Sequence, residues 1–282
     1  MKVDYHLHST RSDGTISPAQ LLTLASERGL AQLAITDHDT MAAYADLMDL
    51  EVSAQGLGPR LITGCEFSSL WNGRNIHIVG LNMDLANPEL FGALKHQKAL
   101  RARRAQGILE VLVRRGYRIL MEDVERLAAG GMVGRPHFAR VLVNTGQVRT
   151  VAQAFKKLLG TGRDGDIKVE WPDAAVVTQW IRAAGGVAVV AHPLKYGMTL
   201  TKLRQLLEDF KAMGGDGMEV ISGAQDPAKT RTLTELCLRY RLLASTGSDF
   251  HSPGQPWANL GMQPSLPEVC TPVWEAWMPK PG

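Results

Sequence analysis

The sequence contains few cysteines and no long apolar segment, and both absences narrow the class of protein. The three cysteines, Cys65, Cys237 and Cys270, are scattered, and no two of them have metal-finger spacing. An odd, scattered set does not suit a disulfide framework, so we expect a reducing compartment. No apolar run reaches about 18 residues, and the polar motif that starts at His6 leaves no room for a signal peptide. We therefore predict a cytoplasmic protein with no membrane span.

The sequence also lacks a strong net charge, an internal repeat and a low-complexity tract. The formal net charge of +3 is too small to indicate a class of partner by itself. Hydrophobic residues make up 45% of the chain and charged residues 21%, which is ordinary for a globular enzyme. The 282 residues suffice for one large α/β domain, alone or with a sizeable insertion.

Short apolar runs bounded by Gly, Asp or Pro predict buried strands that alternate with helices. The strand candidates are Val3–Leu7, Leu33–Thr36, Leu61–Cys65, Ile76–Leu81, Val187–Ala191, Gly217–Ile221 and Leu242–Thr246. Helices are predicted from Ser17-Pro18 to Gly29 and over Ala174–Ala184, Leu203–Met213 and Thr230–Tyr240. This alternation favours an α/β fold with active-site residues on the loops that follow strands.

One connection differs, because Asn72-Gly73 predicts a two-residue hairpin turn between two strands. In the register that such a turn imposes, Trp71 faces Arg74, Ser68 faces His77 and Glu66 faces Val79. Glu66 and His77 are then diagonal neighbours on one face, about 7–8 Å apart at Cα. That separation would let both side chains reach one metal ion.

The middle of the chain, from about Lys95 to Ile167, shows helical patterns and no convincing strand. The expected helices are Lys95–Arg115, Met121–Ala129, Arg135–Thr145 and Thr150–Leu159, and a Gly-rich loop follows them. We interpret residues 95–167 as an all-helical insertion domain. It divides the α/β domain into residues 1–94 and 168–282.

Six of the eight histidines lie at or just beyond predicted strand ends, each near a carboxylate or another histidine. With three carboxylates they form nine candidate metal ligands: His6, His8, Asp13, His38, Glu66, His77, His192, Asp249 and His251. A lone histidine of this kind is usually only hydrogen-bonded, but a repeated pattern indicates metal binding. Nine ligands exceed the four of a structural zinc site and predict two or three divalent ions. We expect Mn²⁺ first, with Fe²⁺ or Zn²⁺ as alternatives.

As an ordered set these motifs resemble the PHP family, the polymerase and histidinol phosphatase superfamily. They are His-x-His-Ser-x-x-Ser-Asp-Gly at 6–14, Thr-Asp-His-Asp at 36–39, Gly-x-Glu-x-Ser at 64–68, His77 in its strand, Ala-His-Pro at 191–193 and Ser-Asp-x-His at 248–251. The resemblance implies a distorted (β/α)₇ barrel, with which the seven strand candidates are compatible.

The resemblance also implies how the ligands divide among three ions. One ion would be held by His6, His8, Glu66 and Asp249, a second by Glu66, His77 and His192, and a third by Asp13, His38 and His251. The implied nucleophile is a water or hydroxide that bridges the ions, so no protein nucleophile is expected.

Within that family, the chain resembles the branch of nucleoside 3′,5′-bisphosphate phosphatases and 5′-to-3′ exoribonucleases that trim short RNA. The match lies in Gly134–Arg140, Lys156 and His192–Tyr196. It implies hydrolysis of a nucleoside bisphosphate, with exonuclease action on short 5′-phosphorylated RNA as a second activity. A histidinol-phosphate-type phosphatase shares the metal ligands and stays open as an alternative. A metal-binding module without turnover is the alternative from another class.

Cations that are not metal ligands are candidates for phosphate binding. Arg135 and His137 flank a proline that starts a predicted helix, and Lys195 follows His192 closely. The alternatives are a helix cap with a surface ion pair, and a solvated lysine. The basic stretch Lys95–Arg118 could follow a polyanion such as RNA, or could be a solvated helix face.

Three further carboxylates, Asp37, Asp39 and Glu219, are expected to orient ligand histidines from behind. His96 lies on the basic stretch without a carboxylate at a strand end, so we expect it to be solvated or packed. The expected substrate is a nucleotide or short RNA. No obligate protein partner and no membrane contact are inferred.

Overall fold

The computed structural model describes residues 1–49 and 58–278, and its strands form two sheets. The first sheet contains β1 (Val3–Asp4), β2 (Gln32–Leu33) and β3 (Arg60–Leu61), which run parallel in this order. The second contains β4 (Gly64–Trp71), β5 (Arg74–Leu81), β6 (Val187–Val190), β7 (Gly217–Ser222) and β8 (Leu243–Gly247). In the second sheet the pairs β4–β5 and β5–β6 are antiparallel, whereas the pairs β6–β7 and β7–β8 are parallel.

The two sheets meet at isolated bridges and do not form a closed hydrogen-bonded barrel over the described residues. Leu7 pairs with Phe250 at one seam, and His38 pairs with Glu66 at the other. The expected strand Val3–Leu7 shortens to two residues because the backbone N–H groups of His6 and Leu7 donate to side chains instead. The fold is therefore α/β, with seams made of single bridges where a closed barrel was expected.

The hairpin forms as the Asn72-Gly73 turn predicts. Both turn residues have positive φ, 47° and 70°, which two-residue hairpins require. The predicted register of β4 on β5 is confirmed at Glu66–Val79, Ser68–His77 and Trp71–Arg74.

Nine α-helices lie among the described residues. They are α1 (Pro18–Glu27), α2 (Ala42–Asp49), α3 (Pro88–Arg114), α4 (Met121–Ala128), α5 (Arg135–Asn144), α6 (Val151–Ala154), α7 (Ala174–Ala183), α8 (Leu200–Ala212) and α9 (Pro227–Arg239). The start of α1 is confirmed, because the Ser17 hydroxyl accepts from the Gln20 N–H and the Gln20 side chain accepts from the Ser17 N–H. The sequence analysis did not predict α2. No helix in the described part of the chain is long and apolar enough to span a membrane.

The helices between β5 and α7 have an apolar core of their own. In it α3 to α6 and the π-helical turn Phe155–Leu159 bury Ile108, Val124, Phe138 and Leu142 against one another. A separate core lies between the sheets and α1, α7, α8 and α9. The four predicted helices of this segment form, and none of its described residues is in a strand. The first helix begins at Pro88 rather than Lys95, so it crosses the expected boundary between residues 94 and 95.

Candidate metal centre

All nine predicted ligands lie in one cluster. They form four overlapping groups whose donor atoms are within 4.8 Å of one another: His8, Asp13, His38 and His251; His6, Glu66 and His192; His6, His8 and Asp249; and His38, Glu66 and His77. The hairpin contributes the central Glu66 from β4 and His77 from β5. The remaining ligands follow β1, β2, β6 and β8, so the fold brings together residues from both ends of the chain.

One oxygen of the buried Glu66 carboxylate is the common neighbour of three imidazoles. Its Oε2 lies 3.2 Å from His6 Nε2, 3.3 Å from His8 Nε2 and 3.1 Å from His38 Nδ1. All three nitrogens are buried and have no hydrogen-bond partner within residues 1–49 and 58–278. A buried polar atom without a partner costs free energy, and a divalent ion between these atoms would remove that cost.

The other Glu66 oxygen faces two further histidines of the cluster. Glu66 Oε1 lies 2.7 Å from His77 Nδ1 and 2.9 Å from His192 Nε2. The Tyr196 hydroxyl accepts from the His77 N–H at 2.9 Å and donates to the Ala191 carbonyl at 2.7 Å. Tyr196 therefore fixes the two backbone segments that carry His77 and His192.

Asp249 and Asp13 complete the cluster on its more open side. Asp249 Oδ1 lies 3.6 Å from His6 Nε2 and 3.5 Å from His8 Nε2. Asp13 Oδ1 lies 3.4 Å from His251 Nε2, and Asp13 Oδ2 lies 3.9 Å from His38 Nε2. These separations are longer than hydrogen bonds, so there is space between the donors for an ion.

In three imidazole rings the outer nitrogen, which points away from the cluster, has a polar neighbour. The inner nitrogen of each ring then points toward the cluster. His6 Nδ1–H donates to Glu219, His251 Nδ1–H donates to the Asp249 carbonyl at 2.9 Å, and His8 Nδ1 lies 3.4 Å from Ser12 Oγ. The proton on the outer nitrogen leaves a free lone pair on the inner one. This is the arrangement that metal-binding histidines require, so the residues present fit divalent ions.

Electrostatics keep the carboxylates of the cluster ionised. Burial alone raises the pKa of Glu66, but the imidazoles of His38, His77 and His6 hold that pKa well below its usual range. Burial likewise acts against ionisation of Asp249, and His6 foremost among its neighbours keeps the pKa well below its usual range. Ionised carboxylates among imidazoles are the donor set that borderline divalent ions prefer.

The backbone is strained where it presents two of the ligands. His192 and Asp249 have positive φ values of 27° and 56°, which non-glycine residues seldom adopt. The surroundings hold these conformations: the His192 N–H donates to Glu219 Oε2 at 2.5 Å, and the Asp249 N–H donates to the His6 carbonyl at 2.7 Å. Strain of this kind is concentrated at functional sites.

The three carboxylates expected behind the ligands occupy different places. Glu219 contacts His6 directly and holds the backbone of His192. Asp37 accepts from the Ser9 and Ser12 hydroxyls, each at 2.6 Å, and therefore acts on His8 through Ser12. Neither of these two carboxylates is exposed.

Asp39 has no histidine among its described contacts, contrary to the expectation that it orients one. It accepts from the Ser68 N–H at 2.7 Å and from Arg101 Nε at 2.6 Å. The physical reason is its positive φ of 54°, which accompanies a turn of the side chain toward β4 and α3. Asp39 thus connects the loop after β2 to the long helix.

Sequence reasoning missed several residues that support the site. Arg101, in the basic stretch, is buried and ion-paired with Asp39. Asp4 is buried and accepts from the N–H groups of Ser248 and Gly261, both at 2.9 Å. Burial, opposed by those hydrogen bonds, raises the Asp4 pKa to about 6. No local pattern marks such partners, because each pair is far apart in the sequence.

The candidate phosphate-binding residues differ in their contacts, and Lys195 lies at the rim of the cluster. Lys195 is ion-paired with Asp249 and its side chain is 51% exposed. Arg135 is partly exposed, donates to the Leu159 carbonyl at 3.1 Å and lies 3.7 Å from Asp166. His137 is buried, and its Nδ1 accepts from the Gly134 N–H at 3.0 Å, which corresponds to the helix-cap alternative.

The basic stretch on α3 divides into inward and outward residues. Arg101 pairs with Asp39, and Arg104 donates to the Ile167 carbonyl at 3.2 Å. Burial, with Arg135 nearby, lowers the Arg104 pKa to about 10. The outward residues are Lys95, Lys98, Arg103, Arg114, Arg115 and Arg118. His96 is exposed and meets Trp180 edge-on at 6.2 Å between ring centroids, as expected for a residue outside the metal cluster.

Comparisons with known proteins agree with this geometry. The 5′-3′ exoribonuclease of Haemophilus influenzae is 43% identical over 274 residues, 97% of this chain and 98% of that protein. The 3′,5′-nucleoside bisphosphate phosphatase of Chromobacterium violaceum is 36% identical over 273 residues, 96% of this chain and 95% of that protein.

Solved structures and family profiles give the same result. A Bifidobacterium adolescentis structure described as a metal-dependent phosphoesterase has a TM-score of 0.82 and 28% identity, with 97% of this chain and 93% of that chain covered. The sequence profile of the PHP domain family matches residues 4–163. This chain therefore belongs to the PHP domain family.

Proposed function

We propose that this chain is a metal-dependent phosphoesterase that hydrolyses phosphate monoesters of nucleoside 3′,5′-bisphosphates. We propose that it also degrades short 5′-phosphorylated RNA from the 5′ end. The observation that carries the proposal is the convergence of buried, unpartnered imidazole nitrogens on Glu66. Proteins named for these two activities align with almost the whole of this chain.

We assign the metal ligands in three sets, two of which share Glu66. His6, His8, Glu66 and Asp249 would hold one ion; Glu66, His77 and His192 a second; and Asp13, His38 and His251 a third. Bound divalent ions would supply positive charge that acidifies a water and stabilises charge on the phosphate. Mn²⁺ is our first expectation, because the donor groups contain nitrogen and oxygen and no thiolate.

In the proposed reaction a water oxygen forms a bond to phosphorus while the ester P–O bond breaks. The products are inorganic phosphate and an alcohol, whose oxygen gains one proton. The protein's own side chains act by orientation. Glu219 holds His6 and the His192 backbone, and Asp37 holds Ser12 against His8, so the ligand atoms need not reorganise when substrate binds.

Arg135 and Lys195 are the proposed contacts for substrate phosphates. Arg135 lies at the start of α5, where the helix dipole adds positive potential. Arg135 and Arg104 both lie beside Asp166, at 3.7 and 3.9 Å, so two guanidinium groups face one carboxylate and a phosphate would supply further negative charge. His137, whose Nδ1 caps the helix, would contribute by fixing the backbone that carries Arg135. Replacing Arg135 by Ala is expected to raise KM for a bisphosphate more than KM for a monophosphate.

We propose that residues 1–94 and 168–282 form one α/β domain, whose two sheets meet at single bridges, with residues 95–167 inserted as a helical domain. The separate apolar core of the helical segment supports this division. The segment also contacts the metal-site loop, since Arg140 donates to the Asp13 carbonyl at 3.2 Å and the Met132 N–H donates to the Arg11 carbonyl at 2.8 Å. The insertion would therefore form one wall of the substrate site.

The experiment that tests the function compares three substrates on purified, manganese-loaded protein. We expect phosphate release from adenosine 3′,5′-bisphosphate, stepwise 5′ shortening of a labelled 5′-phosphorylated RNA, and loss of both after chelation. Turnover of histidinol phosphate without turnover of the bisphosphate would favour the phosphatase alternative. Metal binding without hydrolysis of any of the three would favour the non-catalytic module.

A further inference from the structure

A cavity of about 220 Å³ lies beside the metal centre, between the turn after β6 and the loop after β7. Its walls include Leu194, Lys195, Ser222, Lys229 and Trp257. Pockets for drug-sized ligands usually measure about 300–1,000 Å³, so this one suits a smaller group. Its size fits one planar ring system better than a whole nucleotide.

The cavity is continuous with the metal centre through two residues already described. His192, a proposed ligand, forms part of its wall, and so does Lys195, whose ammonium is paired with Asp249. A group that enters this cavity therefore lies next to whatever the metal cluster binds.

Trp257 offers an aromatic surface at this place. Its backbone is fixed, because its carbonyl accepts from the Ala224 N–H at 2.8 Å. The same oxygen packs so closely against Gly223 that a Cβ added to this glycine would lie only 2.2 Å from it. Trp257 is nevertheless 63% exposed. An exposed indole on a fixed backbone is suited to stacking on the face of a nucleobase.

One polar atom of the cavity lacks a hydrogen-bond partner, which a nucleotide could supply. Ser222 Oγ is buried and has no such partner among the residues that the structure describes, and base edges carry both donors and acceptors. Lys229 lies in the first turn of α9, where the helix dipole disfavours a positive charge. The Asp226 carboxylate, which caps this helix and also lines the cavity, offsets part of that charge, and a substrate phosphate would offset more.

We infer that this cavity binds the nucleobase of the substrate, stacked on Trp257, with Lys195 and Lys229 available to the adjacent phosphates. The inference rests on the proposed function and specifies its substrate as a nucleotide recognised through its base. It places the base beside His192 and Lys195 and separates base binding from the role of Arg135, which does not line the cavity.

The test compares adenosine 3′,5′-bisphosphate with the abasic ribose bisphosphate, which differs only in the missing base, on manganese-loaded enzyme. For the adenosine substrate, Trp257→Ala should raise KM about 5- to 100-fold, the effect of one lost base stack. For the abasic substrate, the same variant should behave like the parent enzyme. Trp257→Phe should recover most of the lost preference for the adenosine substrate over the abasic one, because it keeps an aromatic face.

Phe91→Ala is the matched control, since Phe91 is an aromatic residue exposed on α3 away from the cavity wall. It should leave KM unchanged for both substrates. If Trp257→Ala affects both substrates equally, or neither, the inference is overturned while the proposed function stands. If the parent enzyme hydrolyses neither substrate, the proposed function itself fails.

Discussion

At the metal centre Glu66 is 1% exposed, whereas at the rim of the same site the side chain of Lys195 is 51% exposed. The central rings of His6 and His8 are buried, and their outer nitrogens face protein groups. The rim residues carry long side chains that can rearrange when substrate binds. Folding therefore fixes the positions of the predicted ligands, whereas the side chains proposed to contact substrate can change conformation. Substitutions should therefore cause large losses of activity at the centre and smaller, graded losses at the rim.

The largest expected effect is that of Glu66→Gln, which keeps the volume and removes the shared charge. We expect phosphatase activity to fall by more than about 1,000-fold, because metal ions supply several kcal/mol of transition-state stabilisation. Metal content by elemental analysis should fall as well. Glu110→Gln, on the exposed face of α3, is the control. A Glu66→Gln enzyme with full metal content and near-normal rate would break the contrast between centre and rim.

The next effect concerns stability and extends the comparison to the buried pair behind the centre. Asp39→Asn leaves the buried Arg101 without its charge partner, so the free energy of unfolding should fall by about 3–5 kcal/mol. Urea unfolding measures this. The matched variant Asp123→Asn breaks the exposed Asp123–Arg126 pair and should cost less than about 0.5 kcal/mol. Equal losses in the two variants would contradict the burial argument.

A smaller effect depends on pH and involves Asp4. Its pKa is raised from 3.8 to about 6 in the folded protein, chiefly by burial. Because the folded state holds the proton more tightly, this group's contribution to the unfolding free energy should decline by about 2–3 kcal/mol as pH rises through that interval. The unfolding free energy of the metal-free Asp4→Asn protein should not show this part of the pH dependence. A slope identical to that of the parent protein would show that Asp4 is not the titrating group.

The smallest effect is expected one step outside the ligands. Glu219→Gln can still contact His6 but loses the charge that favours its tautomer, so metal affinity should fall about 10- to 100-fold. Metal titration with a competing chelator gives this value, and Glu235→Gln on the exposed face of α9 provides a comparison. A loss as large as that of Glu66→Gln would mean that Glu219 is itself a ligand.

The sequence was sufficient to predict that these nine side chains cluster, because they carry local signals. His6 and His8 repeat with the period of a strand, and the Asn72-Gly73 turn sets the register that aligns Glu66 with His77. The positions of these residues on the strands follow from short-range chemistry. Their convergence was predictable because the ends of neighbouring strands meet at one edge.

The rest depended on contacts that no local pattern encodes. Arg101 appears in the sequence as one more charge in a basic helix, and only its pairing with Asp39 shows that it points inward. Asp4 similarly gains its role from Gly261, at the other end of the chain. The described strands also do not form the expected barrel, because single bridges such as Leu7–Phe250 join the two sheets, and no local pattern predicts a pairing between residues so far apart in the sequence.

The most direct measurement is anomalous diffraction from crystals loaded with Mn²⁺. We predict two or three peaks, each within bonding distance of Glu66 or of the Asp13, His38 and His251 side chains. Peaks only at other places, together with undiminished activity after exhaustive chelation, would contradict the claim that these buried rings share a cluster of cations.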